Sequence, residues 1–217
     1  MADSFVSRSP ALVLAVHGPT AACHELHTAV SGSFDTAAGQ LAAAAASGRP
    51  RVVATRITRS SCRSLLPMVD WLVASSVQAW VLVWPEVTPA RREAAPRMVA
   101  RLGIAVPHAL RAAQRAERRG LVVATVGVPP CTMGPFARLC VPDPRTRRHA
   151  IPCDSCPSRR QCSGVDPWYL ERFGSEELRA APTVEHAARP SWLDAELPRA
   201  VELAEAVELT PTAEVVR

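Results

Sequence analysis

The sequence predicts an α/β protein: a parallel sheet of about four strands, as an open sheet or a partial (β/α) barrel, followed by a Cys-rich, loop-rich C-terminal metal-binding module. Three observations carry this. Short runs of Val, Ile and Leu recur four times between residues 12 and 128, segments of helical spacing separate them, and the texture then changes abruptly to Pro, Cys, Arg and Asp. Apolar strands alternating with helices imply βαβ units, whose ligands sit at the carboxyl ends of the strands.

The first strand is the run Leu12 to Val16, and the second runs from Arg51 to Ile57. Between them the Ala-rich segment Thr36 to Ala46 reads as a helix, with Ser33 and Asp35 as N-cap candidates and Gly48 and Pro50 as its stop. A second helix starts at Arg63 or Ser64 and ends at Ala74, burying Leu65, Leu66, Val69 and Leu72, with Pro67 in its tolerant first turn. Trp80 to Trp84 is the third strand. The stretch Ala90 to Leu102 adds a helical turn or two interrupted by Pro96, and a further helix covers Pro107 to Arg118. Leu121 to Val128 is the fourth strand. Beyond it, only Pro167 to Phe173 and Glu196 to Val207 have helical patterning. The chain therefore divides into an α/β half-barrel at 1–128, a Cys-rich module at 129–180 and a Pro-, Ala- and Glu-rich tail at 181–217. No internal repeat is evident.

The chain has 217 residues and a formal charge of +5, carried by Arg alone because no Lys occurs. Its basic runs, residues 115–119 and 145–148, are short and lack interleaved aromatics, which argues against a nucleic-acid partner. The start has no basic region followed by an apolar core, and the run from Ala11 is too short to span a bilayer, so a cytoplasmic protein without a membrane partner is expected.

In a reducing compartment, seven cysteines, five of them between Cys131 and Cys162, read as ligands rather than disulfides. Cys153-Asp-Ser-Cys156 chelates from one tight turn, and Cys162 returns after five intervening residues. Four thiolates complete either a tetrahedral zinc site or a [4Fe-4S] cluster. The fourth ligand is Cys131 or Cys140. Cys131 is favoured because it follows the last strand through Pro129 and Pro130, an anchor fixed by the sheet. A loop-rich module with so few apolar residues needs such a staple to fold. Cys23 and Cys62 read as small buried side chains.

Other side chains have weaker readings. His17, Cys23, His24 and His27 offer a second metal site, but no further ligand completes the set at firm spacing. Trp71, Trp80 and Trp84 read as core. Trp168 and Tyr169 follow the third cysteine closely enough to fold back over the metal and exclude water, or simply to pack.

The order of these features resembles the later part of a radical SAM enzyme with a SPASM- or twitch-like auxiliary cluster segment, over roughly Leu12 to Glu177. The residues that carry the resemblance are His17-Gly18, His24, His27 and Ser31-Gly32-Ser33-Phe34-Asp35; then Thr55-Arg56-Ile57-Thr58-Arg59; and then the cysteine segment closed by residues 164–170, Phe173-Gly174 and Glu176-Glu177. The resemblance implies that the cysteines hold an auxiliary [4Fe-4S] cluster rather than zinc. It also implies that Arg56 lines a SAM or substrate cavity, the substrate being a peptide or a small molecule. The Cys-x3-Cys-x2-Cys loop that holds the SAM-cleaving cluster is absent, so SAM cleavage has no site in this chain. A truncated or degenerate relative is implied, whose Leu12 to Val16 strand forms an exposed sheet edge for a complete radical SAM partner or a second copy.

Overall fold

The structure, a computed structural model, describes residues 10–145 and 147–206. Five parallel strands form one sheet in sequential order: β1 (Leu12–Ala15), β2 (Arg51–Arg56), β3 (Ala79–Val83), β4 (Val122–Val126) and β5 (Cys140–Val141). Register runs straight across, with Ala15 beside Ala54, Ala54 beside Val81 and Val81 beside Ala124. The sheet thus has five strands rather than about four. The extra strand, β5, pairs only Cys140 with Thr125 and Val141 with Val126, and two residues inside a Pro-rich loop leave no periodicity to read. Among the described residues β1 forms one edge, with Leu12 and Leu14 half-buried.

The helices are α1 (Ala21–Thr28), α2 (Ser33–Ala46), α3 (Leu65–Ala74), α4 (Ala95–Met98), α5 (Leu102–Arg118), α6 (Pro130–Met133), α7 (Pro167–Phe173) and α8 (Ser191–Ala206). Two expected boundaries shift. Helix α2 begins three residues earlier, with Gly32 at its N-cap in the left-handed region (φ 77°), so neither Ser33 nor Asp35 caps it. Helix α5 begins at Leu102, which places Pro107 inside its second turn, where it withdraws the N–H that would bond the Gly103 carbonyl.

Side-chain alternation along the strands separates two cores. On one face Val53, Trp80, Leu82 and Val123 pack with Leu41, Val69, Leu72 and the alanines of α5. On the other face Val13, Val52, Ala54, Ala79, Val81, Val83 and Ala124 are covered by Leu193, Leu197, Ala200 and Ala204 of α8. The tail therefore contributes a core helix, and it begins at Ser191, five residues before the expected start; the expected end, Val207, lies outside the described residues. No described helix is long and apolar enough to cross a membrane.

Candidate metal centre

Chain direction brings the cysteines together. Strand β4 ends at Val126, Pro129 and Pro130 turn the chain into the short helix α6, and Cys131 is set at the carboxyl end of the sheet. After β5 the chain wanders through two 3-10 turns, Ile151–Cys153 and Pro157–Arg160, which present Cys153 and Cys156. An antiparallel bridge between Arg148 and Val165 closes the segment at its base. Gly164 (φ 90°) is required at this bridge, since a Cβ there would stand 2.6 Å from the Arg148 carbonyl oxygen.

Cys131, Cys153, Cys156 and Cys162 line one narrow cavity, together with His149, Arg159, Leu178 and Arg179. Two of the four sulfurs accept backbone N–H groups. Ala181 donates to Cys156 Sγ at 3.3 Å, and Gly164 donates to Cys162 Sγ at 3.3 Å. Donors aimed at sulfur favour thiolates and are one of the ways a protein tunes a cluster's potential. Burial pushes the Cys131 and Cys162 thiols up; the N–H bonds oppose this, and the neighbouring cysteines of the set push further up. All four are free cysteines in the structure, and a bound cationic centre would require their thiolate forms.

Cys140 behaves differently. It lies in β5, is 3% exposed, accepts from Thr125 Oγ1 at 3.5 Å and lines an adjoining small void that Cys162 also lines. Burial pushes its thiol up to about 12. Cys23 and Cys62 lie outside the group, Cys62 buried and Cys23 half-buried against Gly18. Among the described residues, no three His, Cys, Asp or Glu side chains are disposed to hold a single metal ion.

Trp168 and Tyr169 do not cover the cysteine cavity. Tyr169 packs on Phe173 and Trp84, and its hydroxyl accepts the Leu102 N–H at 2.7 Å and donates to Glu177. Glu177 also accepts the Gly103 N–H at 2.9 Å. Arg101 has no side-chain cap to offer, so these two groups serve as the N-terminal cap of α5.

The histidines do meet. Both His24 and His27 face inward from α1, and the His17 ring lies 6.0 Å from the first and 5.5 Å from the second between centroids. His24 Nδ1 accepts the His17 N–H, and His27 Nε2 meets Ser60 Oγ at 3.3 Å. Both ring nitrogens of His17 are buried without a hydrogen bond. Burial, then the charges of its neighbours, lowers His17 well below its ordinary range, and burial with Arg56 lowers His27 to about 4.

Arg56 ends β2 and is 1% exposed. It lines an open groove with Glu86, Thr88, Arg91, Arg97 and Glu205 at the carboxyl end of the sheet. Its neighbours there were not legible in the sequence: Glu205 comes from α8, and Asp143, Arg145 and Arg147 come from the loop after β5. Burial alone would raise the Asp143 carboxyl, but the Arg145 and Arg147 guanidiniums outweigh it and hold it low. Gly127 (φ 78°) permits this cluster, since a Cβ would stand 2.5 Å from Arg145.

Comparisons with protein-family models, with curated proteins and with solved structures find no match.

Proposed function

We propose that this chain is a radical SAM-related iron-sulfur protein, truncated or degenerate, in which Cys131, Cys153, Cys156 and Cys162 hold an auxiliary [4Fe-4S] cluster and which does not cleave SAM alone. The observation that carries the reading is the common cavity of these four cysteines, two of whose sulfurs accept backbone N–H groups. The donor set fits the group: all-thiolate ligation is what such clusters use, and N–H···S bonds stabilise their negative charge. A bound cluster supplies one-electron transfer. The chain's own residues hold it at the carboxyl end of β4, limit water through Pro129, Pro130, Val165 and Leu178, and place Arg159 and Arg179 beside it.

The substrate, a peptide or a small molecule, would approach the open groove at Arg56. Among the described residues the outer edge of β1 pairs with no strand, which suits a complete radical SAM partner or a second copy that extends the parallel sheet.

The test is anaerobic purification. The expected preparation is brown, absorbs broadly in the visible, and contains about four iron and four sulfide per chain, as a [4Fe-4S] cluster requires. A colourless protein with one zinc per chain would instead assign the same cysteines to a structural site that contributes folding energy and no electron chemistry.

A further inference from the structure

At the carboxyl ends of β2, β3 and β5, three guanidiniums from separate segments converge on one carboxylate, that of Glu205. Its Oε1 accepts Arg145 Nη1 at 2.6 Å and the Glu86 N–H at 3.0 Å; its Oε2 accepts Arg91 Nη1 at 2.6 Å and faces Arg56 Nη1 at 3.5 Å. Each oxygen thus has two donors, an arrangement suited to a planar two-oxygen anion. The donors belong to the sheet and its loops, whereas the acceptor arrives on α8, at least 60 residues away in sequence from any of them.

Glu205 meets the same guanidiniums through its backbone as well: its carbonyl accepts Arg91 Nη2 and faces Arg56 Nη1 at 3.5 Å, near the end of the described part of α8. Arg56, Arg91 and Glu205 also line the open groove, so the cluster is reachable from solvent beside the helix. In open parallel sheets this is where ligands bind.

We propose that Arg56, Arg91, Arg145 and the Glu86 N–H form a binding site for the carboxylate of a small ligand, occupied by the chain's own Glu205, so that a ligand enters by displacing the end of α8. The site is independent of the cysteine cavity and does not depend on which metal that cavity takes. The displaced helix would uncover the Ala- and Val-lined sheet face of Ala54, Val81 and Val83, which is apolar and shallow enough to receive the ligand's body.

The test titrates the full chain with glutarate, a dicarboxylate with the carbon skeleton of a whole glutamate without its amino group, by calorimetry. Glu205→Ala and Glu205→Gln, checked for folding by circular dichroism, are expected to bind glutarate at least tenfold more tightly than the unaltered chain. Adding Arg91→Met is expected to remove that gain. A folded Glu205 variant that binds glutarate no more tightly than the unaltered chain overturns the proposal and leaves Glu205 as a staple of the tail. Should neither variant fold, amide exchange of the unaltered chain decides: faster exchange across residues 199–206 with glutarate supports displacement, and unchanged exchange overturns it.

Discussion

Among single residues, Cys131 and Cys140 are the informative pair, because both are available to complete the set and only one lines its cavity. Cys131 shares the cavity with Cys153, Cys156 and Cys162. Cys140 is held in β5 by strand pairing and by Thr125, and burial keeps it a thiol to about pH 12. Cys131→Ser is therefore expected to abolish bound metal and loosen residues 129–174, since metal binding supplies the folding free energy of a loop-rich segment. Cys140→Ser should retain full metal content. Metal-to-protein ratios on the two variants check this, and an emptied Cys140 variant beside a loaded Cys131 variant would reverse the assignment.

At the scale of elements, the coupling between α7 and α5 is the feature least visible along the chain. Tyr169 of α7 satisfies the first N–H of α5 and is itself held by Glu177, which satisfies the next. Tyr169→Phe leaves the buried Leu102 N–H without a partner and is expected to destabilise the fold by about 1–3 kcal/mol. Urea unfolding measures it. A change within about 0.5 kcal/mol, the range of ordinary surface substitutions, would show that water replaces the hydroxyl. Helix α8 teaches a related lesson. Its Leu193, Leu197, Ala200 and Ala204 repeat at helical spacing, yet nothing in that spacing says which surface they cover.

At the scale of the whole molecule, the three histidines make the fold acid-labile. His17, His24 and His27 are all lowered from their ordinary range, chiefly by burial, His27 to about 4. The unfolded chain takes up these protons near pH 6.5 while the folded chain resists them, so their stabilisation is complete above about 6.5 and is lost as pH falls toward about 4. The loss is on the order of a few kcal/mol for groups this buried. Urea midpoints at pH 7.5 and 5.0 are expected to fall accordingly, and His27→Gln to fall less. Equal decline in the variant would move the cause to His17 and His24, because the Asp143 carboxyl, held low by Arg145 and Arg147, stays ionised in both states across this window.

The sequence by itself determined the parallel α/β framework, because strands buried on both faces read as continuous Val, Ile and Leu runs, and it singled out the chelating spacing of Cys153, Cys156 and Cys162. Short-range spacing carries that information. It left the fourth cysteine open between Cys131 and Cys140, which stand nine residues apart and which the fold puts against adjoining voids. It gave Arg56 as a strand-end residue without its partners, since Glu205 lies 149 residues away. The tertiary structure decided that the tail's helix covers one face of the sheet, that Tyr169 caps α5 rather than shielding the cysteines, and that β5 adds a strand. Each depends on contacts between segments distant in sequence, whose free energy comes from burial and pairing in the assembled fold and leaves no periodic trace along the chain.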